Sequence, residues 1–363
     1  LCKFDGQRVT MASQIAGADE TVSSLYSVKS EQATMLSFDT YNYLVHYFGQ
    51  PQGSMADDPN GTLGGDYEFV ISDATADRIE LKGKKYGNRI VMKAFSADQT
   101  WKQYLTRIKK VEDDAFFYEY DLRMDGLYTG QMLRSNYTFI VTYYDEVGKV
   151  HQKTVPFMFT TDGMRFHEPV TIDGQTMQNF VWKNEEISFV CTDEGATEVK
   201  LAGVYTAGYQ SYDYYPGTYQ MDFYRLNDAT NQMEVASQEI QLVKDEDGKS
   251  YWLKGLEYDI LVTYDKPRGG LSILPQFLKK VQGGYVYLAM WDLMNDYVLR
   301  SSAIGLISYP TTDGIYLVDN GVWMGEISGF IFGVYDSQDE EASFMGYTDA
   351  VAAIRLIKKT IEE

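Results

Sequence analysis

The sequence predicts an all-β protein, mainly antiparallel, built as two sandwich- or barrel-like domains with one amphipathic helix in the first. Three observations carry that expectation. Tyr and Phe are abundant, with 30 and 18 copies, and Val, Ile and Thr accompany them. Proline is scarce, with 8 copies in 363 residues. Turn signals recur at short intervals between alternating apolar and polar runs.

The elements follow in chain order. Phe4-Asp5-Gly6-Gln7 ahead of Val9-Thr10-Met11 carries the Asp-Gly hairpin signal. Asp77-Arg78-Ile79-Glu80-Leu81-Lys82 alternates cleanly, and Gly83 to Asn88 forms the turn into a second strand, Arg89 to Lys93. Trp101, Leu105, Ile108 and Val111 recur at helical spacing behind a Ser96-x-x-Gln99 capping box. They predict a helix over 97–112. Thr154 to Thr160 predicts a strand with Val155, Phe157 and Phe159 on one face, placed by Pro156 at a sheet edge or a strand end. Asp247-Gly248 marks a hairpin between Ile240–Val243 and Tyr251–Leu253. The last apolar run, Ala353 to Lys358, fits either helix or strand, and its echo of Gly87 to Lys93 favours strand.

Domain one is expected over 1–200, with an up-and-down hairpin order that suits a lipocalin-like barrel. A Tyr-rich linker is expected over 201–212 and domain two over 213–363. Residues 50–65, rich in Gly and Pro, read as a loop. Thr160-Thr161-Asp162-Gly163 recurs as Thr311-Thr312-Asp313-Gly314, and Val141 to Asp145 resembles Val262 to Asp265. Two readings stand: duplication of a β unit, or hairpins that share the same turn chemistry.

Charge narrows the function. The chain carries 32 Lys+Arg and 52 Asp+Glu, a net −20. The excess is even: 20 basic and 29 acidic residues in 1–200, 12 and 23 in 201–363. Nucleic-acid affinity rests largely on Lys and Arg neutralising phosphates, so a nucleic-acid partner is not expected. Anionic membrane surfaces are disfavoured for the same reason. No apolar run approaches the roughly 18–20 residues of a spanning helix. The chain starts at Leu1 without Met, and we expect its natural front end to lie upstream.

Candidate chemistry is sparse. His46, His151 and His167 lie in separate segments, and His167-Glu168-Pro169 is not a zinc helix motif. No nucleophile elbow is present, so no catalytic residue and no metal site are assigned. Cys2 and Cys191 form either one disulfide or two free thiols. Asp245-Glu246-Asp247-Gly248 fails as a calcium loop, because Val243 and Lys254 stand where acids are needed. A surface calcium from Asp57-Asp58 or Asp336-Asp339-Glu340-Glu341 is the one cofactor considered. The candidate binding residues are Tyr205, Tyr209, Tyr212, Tyr214 and Tyr215. Seven tyrosines fall within residues 205–224, interleaved with Gly, Ser and Asp. Their rings suit either interdomain packing or a surface for sugars and proteins. Trp252, Trp291 and Trp323 are expected as core or edge packing.

Several segments together resemble one family: FDGQRVTMAS (4–13), SLYSVKSEQATMLSFDTYN (24–42), GDYEFVI (65–71), RIELKGKKYGNRIVMK (78–93), YPGTYQMDF (215–223), LVKDEDGKSYWLKGLEYDILVTYDKPRGGLSILPQ (242–276) and GGYVYLAMWDL (283–293). The resemblance is to domain-of-unknown-function family 4302, lipoproteins of Bacteroidetes. It implies an exported protein, lipid-anchored at the cell envelope through a Cys upstream of this chain, beside outer-membrane nutrient-uptake systems. It supplies no catalytic residues. The expected role is a non-catalytic, monomeric surface binding or accessory module for a glycan, a peptide or a partner envelope protein. Two alternatives are an extracellular carboxylate-dependent hydrolase and a barrel enclosing a small apolar ligand.

Overall fold

Tight turns and alternating strands give the chain two compact units, Leu1–Gly203 and Val204–Glu363. The computed structural model describes residues 1–30, 33–46, 48–49, 64–145, 147–227, 229–230, 232–339 and 341–359. The expected loop over 50–65, apart from Gly64 and Gly65, lies outside the described residues, as do Asp57, Asp58 and Glu340.

The first unit begins with a seven-stranded antiparallel meander: β1 (Cys2–Asp5), β2 (Arg8–Met11), β3 (Val22–Ser30), β4 (Thr34–Phe38), β5 (Glu68–Ala74), β6 (Arg78–Gly83) and β7 (Arg89–Lys93). Gly6, with φ +58°, turns β1 into β2 as the Asp-Gly signal requires. The short helix α1 (Tyr43–His46) adds Val45 to a core of Val9, Leu36, Phe38, Phe69 and Leu81. Cys2 packs against this core, Cys191 is buried elsewhere in the unit, and both are free thiols.

Helix α2 (Trp101–Asp114) starts four residues later than expected. Its capping box is Thr100 and Gln103: Gln103 N–H donates to Thr100 Oγ1 at 3.2 Å, and Thr100 N–H to Gln103 Oε1 at 2.9 Å. Ser96-x-x-Gln99 and Thr100-x-x-Gln103 both fit the box and put the same apolar stripe inward, so periodicity could not choose between them. Leu105, Ile108 and Val111 bury that stripe in the core of a closed barrel.

The barrel is β8 (Glu119–Met124), β9 (Leu127–Ser135), β10 (Thr138–Tyr144), β11 (Val150–Phe159), β12 (Gly163–Ile172), β13 (Gln175–Lys183), β14 (Ser188–Cys191) and β15 (Lys200–Val204). Consecutive strands pair, and β15 returns to β8. Eight strands leave an interior just wide enough for side chains. Here rings fill it: Phe139 stacks on Phe157 at 4.4 Å, Tyr120 meets Phe139 edge-on at 5.6 Å, and Trp182 meets Phe189 at 4.8 Å. Pro156 lies inside β11, between two neighbouring strands, and not at a sheet edge. It is the last partner in the β10 ladder, and the β12 ladder begins at Phe157. The missing N–H thus falls where one ladder ends and the other starts. Arg134 joins helix to barrel. It donates to the Ala115 carbonyl at 3.0 Å, pairs with Glu112 at 3.3 Å, and lies over the Phe159 ring at 4.9 Å.

The second unit holds β16 (Gly217–Asn227), β17 (Gln232–Lys244), β18 (Ser250–Lys254), β19 (Ile260–Asp265), β20 (Gly270–Ile273), β21 (Gln276–Val281), β22 (Gly284–Asp292), β23 (Tyr297–Leu299), β24 (Leu306–Thr311), β25 (Gly314–Asp319), β26 (Gly329–Tyr335) and β27 (Phe344–Lys358). The C-terminal run is therefore strand. β16 pairs with both β17 and β27, which closes a ring in the order β16-β17-β18-β19-β20-β24-β25-β27. β27 changes partner along its length, pairing with β26 up to Ala352 and with β25 at Arg355 and Leu356. The change falls at Ala353, a bulge residue with φ +50°. β26, β22, β21 and β23 extend this sheet. β22 and β26 are buried on both faces, and a second small core of Ala289, Trp291, Ile331, Ala350 and Ala352 lies behind the main one.

The two Thr-Thr-Asp-Gly segments are hairpin turns. Thr160 Oγ1 donates to Asp162 at 3.0 Å, and Thr311 Oγ1 to Asp313 at 2.6 Å. The first joins the fourth and fifth strands of its barrel, the second the sixth and seventh of its ring. Different positions in the two rings favour shared turn chemistry over duplication.

Arg355 ties the closure seam together. Its guanidinium pairs with Asp222 on β16 at 2.9 Å and with Asp313 at the β24–β25 turn at 3.0 Å. Hydrogen bonds from Gln220, Arg355 and Ser237 hold the Asp222 carboxyl down at about 2. A carboxyl depressed on folding adds stability above its unfolded value, near about 4, and loses that contribution as pH falls through about 2. We expect Arg355→Met to lower the melting temperature at pH 7 and to flatten its fall between about pH 4 and pH 2. An unchanged acid profile in thermal melts would remove this role.

Candidate functional site

Buried phenols must find acceptors, and this rule decides most of the tyrosine-rich segment. Tyr212 donates to the Ser250 carbonyl at 2.8 Å, and Tyr215 to that of Gly269 at 2.8 Å. Tyr219 donates to the Tyr215 carbonyl at 2.7 Å, Tyr251 to that of Tyr212 at 2.6 Å, and Tyr264 to that of Gln210 at 2.8 Å. Tyr212 stacks on Tyr251 at 4.7 Å, and Tyr264 also reaches the Tyr209 hydroxyl at 3.1 Å. Burial pushes the phenols of Tyr215, Tyr219, Tyr251 and Tyr264 upward, so they stay protonated donors. Residues 205–216 therefore fold across one end of the second unit's own ring and pack into its core.

Of the five tyrosines proposed for binding, Tyr215 is fully buried, and Tyr212 and Tyr209 are partly buried against neighbouring rings. Tyr205 and Tyr214 keep 47% and 39% of their surface. Lys358 lies over the Tyr214 ring at 4.9 Å. Residues 201–204 are the end of β15, with Leu201 fully buried in the first barrel.

The other end of the β24–β25 hairpin differs in kind. Asp292, fully buried at the end of β22, accepts from Asn295 N–H at 3.1 Å, Asn295 Nδ2 at 2.9 Å and Trp323 Nε1 at 3.0 Å. Those bonds, Asn295 first, hold its carboxyl below the usual range. Asp319 clamps the next loop at both ends, accepting from Gly321 N–H and Ile327 N–H at 2.8 Å each. The loop is thus fixed from beneath, with Val322 and Met324 outward and Ile327 buried in the core. Tyr297 meets Trp323 edge-on at 5.7 Å. Met324 is 95% exposed, Met294 81% and Tyr297 54%. Trp323 is half-buried, so it packs and presents a ring together. Trp291 lies in the second small core, and half-buried Trp252 donates from Nε1 to Asp245 at 3.0 Å. A signal for the exposed site stood in the sequence: Val322, Trp323 and Met324 sit between Gly321 and Gly325.

The other candidates resolve into structural partners. His151 pairs with Asp145 at 2.8 Å in the β10–β11 turn, where Asp145 also accepts from Val147 and Lys149 N–H. His46 stacks on Tyr67 at 5.2 Å. Burial lowers the His167 imidazole, favouring its neutral form. Asp247 accepts from Lys249 and Ser250 N–H, which is hairpin chemistry. Asp336, Asp339 and Glu341 line a shallow depression of about 550 Å³. Ser343 N–H already donates to Asp336, and Ser337 Oγ to Asp339. Among the described residues no cluster of three His, Cys, Asp or Glu side chains is placed to hold a metal.

Gly325 makes the Asp292–Trp323 contact possible, because a Cβ there would strike the Asp292 carboxylate and the indole nitrogen. We expect Gly325→Ala to break that bond, red-shift tryptophan emission, and cost about 1–3 kcal/mol. Unchanged emission and melting would contradict the clamp.

No curated protein and no solved structure matches the chain. Residues 192–331 match a second family model, DUF4987, described as a domain of unknown function. Residues 1–184 match the model described as "Domain of unknown function (DUF4302)", and the chain belongs to that family.

Proposed function

We propose that the chain is a non-catalytic binding or accessory module of a nutrient-uptake system, exported and displayed at the cell envelope. The observation that carries this reading is half-buried Trp323, on a loop clamped by Asp292 and Asp319, meeting the exposed Tyr297 of β23 edge-on. Aromatic side chains give large contact area at low entropic cost, and a pre-formed loop lowers the ordering cost of binding. His151 and the acids Asp145, Asp222, Asp247, Asp292, Asp313 and Asp319 hold turns and the closure seam, which favours binding over catalysis. Rings fill the first barrel, which disfavours an enclosed apolar ligand there. The even acidic excess suits a solvated, displayed surface.

A screen against a glycan array, mucin peptides and partner envelope proteins tests the reading. The wild type is expected to bind, Trp323→Ala/Tyr297→Ala to lose binding about tenfold or more, and Tyr205→Ala/Tyr214→Ala to retain it. If the Trp323 variant binds like the wild type, the surface is misassigned. Turnover of a glycan or peptide in the screen would refute the non-catalytic reading.

A further inference from the structure

The exposed loops carry more information than their aromatic rings. Residues 293–299 read Leu-Met-Asn-Asp-Tyr-Val-Leu, and 320–328 read Asn-Gly-Val-Trp-Met-Gly-Glu-Ile-Ser. Exposed Asp296 and Glu326 bring negative charge, and neither segment contains Lys, Arg or His. The nearest cation in sequence, Arg300, lies over the rings of Tyr287 and Tyr335 at 4.8 and 4.2 Å and donates to the Asp339 carbonyl at 2.6 Å.

We propose that this surface docks a basic, apolar segment of a partner polypeptide, an inference that rests on the binding reading above. Two features favour a polypeptide over a sugar. A sugar stacks on a flat ring and needs polar groups around it. Here the most exposed side chains are two thioethers, Met294 and Met324, with Val322 beside Trp323. Methionine adapts its shape to varied apolar side chains, and hydroxyls gain little from it. Trp323 and Tyr297 stand in segments whose exposed charges, Asp296 and Glu326, are acidic, and an aromatic face beside carboxylates attracts Lys and Arg. The same acids repel the anionic headgroups of a membrane. The carboxylate clamps hold the loop ready, so the partner's segment bears most of the ordering cost.

The test uses the full chain and three probes: a twelve-residue peptide alternating Lys with Leu and Trp, the same peptide with Glu for Lys, and a neutral mucin-type oligosaccharide. Met324→Ser is the first variant, because that side chain is almost wholly exposed and its loss leaves the fold intact. Trp323→Ala and Asp296→Asn/Glu326→Gln follow, each with a melting curve. We expect the Lys peptide to bind and the Glu peptide not to. Met324→Ser and Trp323→Ala should each weaken binding about tenfold or more. The acid variant should weaken it several-fold at low salt and less at high salt. If the oligosaccharide binds through Trp323 and ignores the acid variant, the partner class is wrong and the binding surface stands. If the Lys peptide binds wild type and Trp323→Ala equally, it binds elsewhere on an acidic protein and the inference fails. If no probe responds to Trp323 or Met324, both the inference and the binding reading fall.

Discussion

A phenol taken out of water without an acceptor is costly, and the second unit answers that cost for three buried and two half-buried tyrosines. Tyr212, Tyr215, Tyr219, Tyr251 and Tyr264 each donate to a main-chain carbonyl. Several of those carbonyls belong to the turns that join strands, so the same bonds that satisfy the rings fasten the loops. This network fixes where residues 205–216 lie. It closes one end of the ring of strands, whereas the loops at the other end of the β24–β25 hairpin turn Met294, Val322 and Met324 outward.

Those outward loops are held by a second device, the buried or half-buried carboxylate. Asp292 gathers Asn295 and Trp323, and Asp319 gathers the two ends of the loop that carries Trp323. Acids here act as acceptors for N–H groups and have no metal cluster or acid–base partner beside them among the described residues. Arg355 does the complementary work at the closure seam, where one guanidinium spans Asp222 and Asp313. The acidic composition therefore divides into acids that hold turns and acids that solvate the surface.

Much of the fold was legible locally. Asp5-Gly6, Asp247-Gly248 and the two Thr-Thr-Asp-Gly turns named their hairpins because a turn's chemistry lies in adjacent residues. The helix was legible by its period, but its start was not, since two capping frames share one apolar stripe. Closure of the second ring was not legible, because β16 and β27 are joined across more than a hundred residues and either strand alternates like any other. Sequence density pointed to Tyr205–Tyr215, of which the structure buries Tyr215 and half-buries Tyr209 and Tyr212. Ring count does not report whether a hydroxyl has an acceptor inside the fold. The sequence cue to the surface proposed above is Val322, Trp323 and Met324 between Gly321 and Gly325.

Amide hydrogen exchange resolved to single residues tests the central claim most directly. A pre-formed surface requires the Trp323 loop to be held while its side chains stay exposed. The amides of Gly321 and Ile327, bonded to Asp319, and that of Asn295, bonded to Asp292, should exchange far more slowly than the intrinsic rate. Met294 and Met324 should meanwhile be among the first of the 15 methionines to oxidise in dilute peroxide. Intrinsic-rate exchange at Gly321 and Ile327 would contradict the account, since it would put Trp323 on a loose loop with no surface built to receive a partner.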